Sequence, residues 1–303
     1  MNIKYWFSHP LALPTKLVVS LDKKGFRFPD KFFLSCYYYH YTLERINWDS
    51  PQKYCEKLNW IKLYDRNPLY TIMVDKCLAK KYVEERFGEQ VIIPTIAEYN
   101  NASEIEWEKL PNKFVIKCNH DSASYVICKD KNRLDKNAVA ISLQKAIDTD
   151  YYWISREWAY KNVPRKILVE EFIEDPSGDL KDYKFFCFDG EVKALFVASN
   201  RQTKGVKTQF DYFDADFNHL PMVSAGHPNA DIPPEKPNHF ELMKQMAATL
   251  SKGIPHVRID FYETQGRVLF GEFTFYHDGG IAPLYPEKYE ILFGNWIKLP
   301  EKG

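Results

Sequence analysis

The sequence predicts an α+β protein whose strands are joined as antiparallel hairpins. Residues 182–198 hold two apolar runs around Asp189-Gly190, which is the signal of a type I′ turn. Residues 257–274 read as a second pair of strands around a short turn that contains Gly266. Residues 75–87 and 240–251 show the helical spacing of apolar residues, which predicts two helices between the strands.

Length and composition favour a cytoplasmic protein with a real core. The 303 residues are enough for one large domain or two ordinary ones, and 45% are apolar. Lys+Arg and Asp+Glu both number 41, which argues against a nucleic-acid binder but leaves room for a local cationic pocket. The six cysteines form no CxxC pair, as expected of reduced thiols. No apolar run approaches 18 residues, so we expect neither a signal peptide nor a transmembrane segment.

The first third of the chain carries one helix of interest. Residues 17–21 resemble a strand, and residues 31–41 are rich in aromatics. The helix at 75–87 has Asp75 as its N-cap and ends before Gly88. Lys76 lies in the first turn, where the helix dipole disfavours a cation. This mismatch hints at a functional lysine, although a plain surface lysine also fits.

Strands and a polar loop follow. Residues 114–118 and 125–129 read as strands around a loop of small polar residues at 119–124, which can fold over phosphates. Lys117 lies near the end of the first strand, where its ammonium can reach a phosphate. The strand at 167–173 carries Glu170 and Glu171, one on each face, so one glutamate points inward and needs a partner.

The later hairpins add charges. In the hairpin at 182–198, Lys184 shares a face with Phe186 and Phe188. Residues 199–239 read mostly as loop, with Arg201 just past the strand.

The hairpin at 257–274 places two carboxylates together. Arg258, Asp260 and Tyr262 share one strand face, with Asp260 opposite or diagonal to Glu272, within roughly 5–8 Å. Such carboxylates repel, and a divalent cation such as Mg²⁺ removes the conflict. With Arg258 as a fixed cation, the pattern indicates a metal–phosphate site, although a solvated strand face with a surface salt bridge also fits.

Lysines, paired carboxylates and Mg²⁺ together are typical of phosphoryl transfer. The sequence has no Walker A motif and no kinase Gly-rich loop, HRD or DFG element. A nucleotide site would therefore belong to another architecture.

The sequence resembles the ATP-grasp superfamily, and within it the TupA-like ATP-grasp group linked to bacterial surface polysaccharides. The resemblance covers most of residues 50–300. The segments that carry it are Asp75-Lys76, LPNKFVIKCNH (110–120), VEEF (169–172), DYKFFCFDGE (182–191), VRIDFY (257–262) and FGEFTF (270–275).

The resemblance implies an ATP-grasp fold, in which two α/β subdomains with antiparallel sheets clasp ATP. It implies a partly helical segment at 1–75, a small subdomain with a phosphate flap at 76–165, and a large subdomain with the metal ligands at 166–303. The implied ATP contacts are Lys76, Lys117, Glu170, Glu171, Ile173 and Lys184. The implied Mg²⁺ ligands are Asp260 and Glu272, and the implied catalytic residues are Arg258, Lys184 and Arg201.

The resemblance also implies an ADP-forming carboxylate–amine ligase with an acylphosphate intermediate. We expect it to join a sugar acid or sugar amine, free or nucleotide-linked, to an amino acid or amine in capsule or surface polysaccharide synthesis. His277, Arg165, Arg201 and the loop at 199–239 are candidates for acceptor recognition, and nothing in the sequence ranks them.

Two departures from the family pattern keep alternatives open. The flap has Asp121 and Ala123 where relatives tend to have glycine, and Thr274 stands where many ATP-grasp proteins have asparagine, although the TupA-like group appears to share this threonine. A non-catalytic homologue that binds a nucleotide or glycan would fit the altered flap. A glycosyltransferase would need a DxD-like motif, and Asp214-Ala215-Asp216 has that spelling, but its surroundings predict a turn.

Overall fold

The structure is a computed structural model that describes residues 9–122, 124–201, 203, 205–224 and 226–302. The helices in this part are α1 (Ala12–Lys23), α2 (Asp30–Thr42), α3 (Tyr54–Tyr64), α4 (Leu69–Val74), α5 (Lys76–Phe87), α6 (Lys136–Asp148), α7 (Tyr152–Ser155), α8 (Phe240–Leu250) and α9 (Glu287–Trp296). The strands are β1 (Thr95–Tyr99), β2 (Phe114–Cys118), β3 (Tyr125–Cys128), β4 (Ile167–Glu171), β5 (Asp182–Phe188), β6 (Glu191–Ser199), β7 (Gln209–Asp214), β8 (His219–Leu220), β9 (Val257–Thr264) and β10 (Arg267–Thr274).

Helices α1 and α2 pack against each other near the start of the chain. The prediction of a strand at 17–21 is wrong, because these residues lie in α1. Val18 and Val19 are β-branched and favour a strand locally. The helix forms instead because it buries Val19 against Phe33 of α2. Arg156 joins this pair of helices to the rest of the fold through Asp22, at 2.6 Å, and Asp30, at 3.0 Å.

The small sheet has the antiparallel order β1-β4-β2-β3. Phe114, Ile116 and Cys118 are fully buried and share a core with Leu143 of α6. The alternate residues of β2 therefore lie on the opposite face. Strand β4 belongs to this sheet, so the sheet extends to residue 171, beyond the boundary predicted at 165. The inner side of α5 packs instead on the core of the large sheet. The division into subdomains stays a prediction.

The large sheet has the order β10-β9-β5-β6-β7-β8. Residues 199–239 are mostly loop, as predicted, with β7 and β8 as the exceptions, and β7 forms a ladder with β6. On the face covered by α8, Phe185 lies opposite Ile259. On the other face, Asp260 lies between Lys184 on β5 and Glu272 on β10. The predicted pairing of the two carboxylates is confirmed.

A bulge between Phe270 and Glu272 explains how β10 approaches β9 so closely. A Cβ on Gly271 would lie 3.0 Å from the Asp260 carbonyl oxygen, which glycine avoids. The hairpin turn that follows β9 uses Gln265 and Gly266 with φ of 50° and 73°. These two positive φ angles are those of a type I′ turn, which fixes the register of the hairpin.

Candidate active site

A cleft of about 1090 Å³, part of it open to solvent, lies between the two sheets. Val115, Lys117 and Glu170 line it from the small sheet, and Lys184 and Glu272 line it from the large sheet. The sites predicted on the two halves of the chain therefore meet in one place, because each sheet turns its polar face toward the other.

The N-terminus of α5 is tied to the end of β2. The Asp75 carboxylate accepts from the backbone N–H of Cys77, at 2.9 Å, and thus caps the helix as predicted. Asn119 donates to the same carboxylate at 2.9 Å. Lys76 lines the cleft and donates to the carbonyl oxygen of Asp121. Burial lowers the pKa of Lys76, so partial desolvation of its ammonium is a cost that an anionic ligand would offset.

Glu170 is the inward glutamate of β4, and it lies between two lysines. Its carboxylate is 2.5 Å from Nζ of Lys117 and 2.5 Å from Nζ of Lys80. Burial favours the protonated form of Glu170, but Lys117 and Lys80 outweigh it and lower the pKa of Glu170. The carboxylate thus serves to fix Lys117 at the cleft wall.

Glu171 and Ile173 lie where the chain passes from the small sheet to the large one. Glu171 is exposed, and both residues line the cleft. Strand β4 ends at Glu171, two residues before the predicted end, so Ile173 belongs to the connecting segment. This segment also brings Phe172 and Leu180 to the cleft, which gives a planar apolar group a place to bind.

Lys184, Arg258 and Asp260 form a buried network on the large sheet. Asp260 accepts from Nε and Nη2 of Arg258, both at 2.8 Å, and from Lys184. Burial would raise the pKa of Asp260, but the charges of Arg258 and Lys184 lower this pKa to about 2. Asp260 is therefore ionised, and both of its oxygens have protein donors.

Arg201 joins this network through a residue that the sequence analysis did not assign. Asp182, at the start of β5, accepts from Lys184 and from Arg201, each at 2.7 Å. The attraction of Asp182 raises the pKa of Arg201. The other oxygen of Asp182, Oδ1, is buried without a hydrogen-bond donor among the described residues. Because Asp182 lines the cleft, this oxygen can accept from a hydroxyl or amino group of a ligand.

Glu272 is the more available of the two predicted metal ligands. Its side chain is 37% exposed, and the nearest cation among the described residues is Nη2 of Arg258 at 3.4 Å. The described residues contain no group of three or more His, Cys, Asp or Glu that could hold a metal. Of the two predicted ligands, Glu272 lines the cleft, whereas Asp260 does not and has both of its oxygens hydrogen-bonded to Arg258 or Lys184. The assignment of Mg²⁺ to these two carboxylates stays a prediction.

The polar loop after β2 reaches the cleft, and Asp121 is among the residues that line it. The Asp121 carboxylate accepts from the hydroxyl of Ser124, at 2.5 Å, within its own loop. Ser122 and Tyr151 share a hydrogen bond of 2.6 Å between their hydroxyls. Ala123, the other altered flap position, lies outside the described residues. The carboxylate at position 121 is therefore held by a contact within its own loop.

The remaining candidates differ in position. His277 is buried, and its Nδ1 lies 2.9 Å from Nη1 of Arg258, which brings it into the network. Arg165 contacts Asp150 at 3.6 Å and does not line the cleft. Asp214 accepts from the backbone N–H groups of Asp216 and Asn218, as expected of the predicted turn.

Lys80 and Asp182 are the site residues that sequence reasoning missed. Both carried a weak signal, since Lys80 lies one helical turn after Lys76 and Asp182 shares the strand face of Lys184. Neither signal separates a residue of the site from an ordinary polar residue at that spacing.

Comparison with known families fits this geometry. The family model described as TupA-like ATPgrasp matches residues 56–298. The chain belongs to the TupA-like ATP-grasp family. Together with the two antiparallel sheets around a cleft, this membership confirms the predicted α+β ATP-grasp fold. No curated protein matches the chain.

Similar solved structures include ATP-grasp ligases. D-alanine–D-alanine ligase from Bacillus anthracis in complex with ATP is 16% identical, with a TM-score of 0.38 over 67% of this chain and 54% of that one. The Helicobacter pylori enzyme of the same name is 14% identical, with a TM-score of 0.43 over 77% and 60%. N5-carboxyaminoimidazole ribonucleotide synthetase from Thermus thermophilus is 12% identical, with a TM-score of 0.37 over 67% and 45%. The chain thus spans less than two thirds of these proteins.

Within the described residues, no helix has both the length and the apolar character needed to cross a membrane.

Proposed function

We propose that this protein is an ATP-dependent, ADP-forming ligase that joins a carboxylate to an amine. The observation that carries the proposal is the convergence of Lys76, Lys117, Lys184 and Arg201 on one cleft with Glu272. These four cations share the cleft lining with five carboxylates, and such a mixed set of charges suits a triphosphate together with Mg²⁺. No nucleophilic side chain is needed, because positioning and charge neutralisation dominate such chemistry.

The proposed roles follow from the contacts. Lys76 and Lys117 would bind phosphate oxygens from the side of the small sheet, and Lys184 from the side of the large sheet. Arg258 would orient the two Mg²⁺ ligands, since its guanidinium contacts both Asp260 and Glu272. Bound Mg²⁺ would neutralise phosphate charge as it develops.

The adenine would bind at the apolar end of the cleft. Ile173 would pack on the ring and Glu171 would lie at its edge, while Asp182 Oδ1 would accept from a ribose hydroxyl. Glu170 is held by two lysines and would act on the phosphates through Lys117.

The finer proposal concerns the substrates. We propose a sugar acid or sugar amine and an amino acid or amine, free or nucleotide-linked, in capsule or surface polysaccharide synthesis. The TupA-like family supports this proposal by resemblance. We propose a cytoplasmic location, supported by the six free, buried cysteines.

The test is calorimetric titration of the protein with ATP or ADP, with and without Mg²⁺. Asp260 is buried among cations, so its removal would disturb folding as well as binding, whereas Glu272 is half-exposed. Glu272→Gln keeps the shape and should weaken Mg²⁺-dependent nucleotide binding at least tenfold. Glu241→Gln, an exposed glutamate on α8, is the matched control and should bind as the wild type does.

A wild-type protein that binds no nucleotide would refute the ligase proposal. It would favour a non-catalytic homologue that keeps the fold for another ligand.

A further inference from the structure

The loop His277–Gly280, directly after β10, has an unusual backbone. Asp278, Gly279 and Gly280 follow one another with φ of 46°, 61° and 64°, all in the left-handed region. This conformation costs roughly 1–2 kcal/mol for a residue with a side chain. The surrounding structure must therefore hold Asp278 in place.

Two buried side chains of α3 hold this loop. Lys62 donates to the carbonyl oxygen of Gly279 at 2.6 Å, and Asn59 donates to that of Gly280 at 2.7 Å. A Cβ on Gly280 would lie 2.9 Å from Nδ2 of Asn59, so α3 packs directly on the loop. The result is a rigid loop that presents the side chain of Asp278 to solvent, 43% exposed.

Asp278 is connected to the proposed reaction centre through His277. Arg258 can only donate, so Nδ1 of His277 accepts its hydrogen bond and the proton of the neutral imidazole is on Nε2. Nε2 in turn lies 3.6 Å from Oδ2 of Asp278. The Arg258 guanidinium also contacts Asp260 and Glu272. The His277 imidazole lies between this guanidinium and Asp278.

The charge of Asp278 is not neutralised in the way that its neighbours are. Asp182 and Asp260 each bind a lysine and an arginine, whereas no described lysine or arginine lies within 4.0 Å of the Asp278 carboxylate. The loop after β10 therefore offers an exposed carboxylate that is linked to Glu272 in the cleft through His277 and Arg258.

We propose that Asp278 binds the protonated amine of the acceptor substrate, so that the acceptor carries a primary ammonium group. The inference rests on the proposed ligase function. A primary amine has a pKa near 10, as lysine does, and reaches the protein as a cation. A fixed carboxylate holds such a cation by charge-assisted hydrogen bonds and selects it over a neutral amide.

The test compares Asp278→Asn with a matched control. Asparagine tolerates the left-handed region, so the change removes the charge and retains the backbone. Asp189→Asn makes the same change at another exposed aspartate with positive φ, 49°, in the turn after β5. Each protein is first titrated with Mg²⁺·ADP by calorimetry.

The ADP-saturated proteins are then titrated, by NMR, with D-glucosamine, ethanolamine, glycinamide and alaninamide. The N-acetylated form of each amine serves as the neutral probe. We expect the wild type and Asp189→Asn to bind at least one amine and to prefer it over its acetylated form. We expect Asp278→Asn to bind Mg²⁺·ADP as the wild type does and that amine at least tenfold more weakly.

Three outcomes would overturn the inference. If the wild type binds Mg²⁺·ADP but no amine of the panel, or if Asp278→Asn retains amine affinity within twofold, the nucleotide site stands and the ammonium site fails. If the wild type binds no Mg²⁺·ADP, the proposed function fails and this inference fails with it.

Discussion

Replacing Lys80 by methionine tests whether the buried lysine pair around Glu170 organises the cleft. Lys80 donates to Glu170 at 2.5 Å, to the carbonyl oxygen of Ile93 at 2.7 Å and to the hydroxyl of Thr95 at 3.1 Å. Its side chain is only 10% exposed, so water cannot replace these contacts fully. Removing one partner of a buried pair costs about 3–5 kcal/mol. Because Lys117 still binds Glu170, we expect the lower end, about 3 kcal/mol.

Urea denaturation measures this loss as a lower midpoint at unchanged slope. Lys81→Met, an exposed neighbour on α5, is the matched control and should change stability by less than about 0.5 kcal/mol. In a Glu170→Gln background the cost of Lys80→Met should fall to about 1 kcal/mol, since only neutral hydrogen bonds are lost. An equal cost in both backgrounds, or less than about 1 kcal/mol in the wild type, would refute the reasoning.

The pH dependence follows from the direction of the Glu170 shift. The pKa of Glu170 is lowered in the folded protein, so its ionisation stabilises the fold above the unfolded pKa of about 4.3. This contribution is lost as the pH falls through the folded pKa. The destabilisation by Lys80→Met should therefore be largest above about pH 5 and shrink in more acidic solution.

Two further predictions concern the loop after β10. Gly280→Ala places an alanine in the left-handed region with its Cβ 2.9 Å from Asn59, so it should lower the free energy of unfolding by about 2–4 kcal/mol in urea denaturation. The control Gly253→Ala, with a φ of +77° and no neighbour near the added Cβ, should lower it by about 1–2 kcal/mol. Similar costs for the two variants would contradict the close packing of α3 on the loop. The second prediction concerns Lys62, whose pKa is lowered by burial to about 8, below the value of about 10.4 in the unfolded chain. The unfolded chain binds the proton more tightly, so the contribution of Lys62 to stability rises as the pH increases from about 8 to about 10.4. The destabilisation by Lys62→Met should therefore grow from pH 8 to pH 10, by up to about 3 kcal/mol, and a pH-independent difference would show that Lys62 stays charged when buried.

The sequence by itself determined the local elements that carry the site. The alternation of Arg258, Asp260 and Tyr262 along one strand fixed their common face, because successive side chains of a strand point to opposite sides. The Asp75 cap and the paired glutamates of β4 were readable for the same reason, since they depend on neighbours in the chain. Family motifs then ordered these elements into one architecture.

Only the tertiary structure decided which partners these side chains have. The two-residue period of β4 predicts that one glutamate points inward, but which one binds Lys80 and Lys117 depends on how β4 lies between β1 and β2. Residues 17–21 form a helix because packing on α2 outweighs the strand preference of a short β-branched run.

The same limit applies to the loop after β10. Asp278 follows a buried histidine in a loop whose shape is set by α3, more than 200 residues away in the chain. A local pattern contains no information about such contacts, because their energy comes from segments that meet only when the chain is folded. The charges were thus visible in the sequence, and their pairing was decided by the fold.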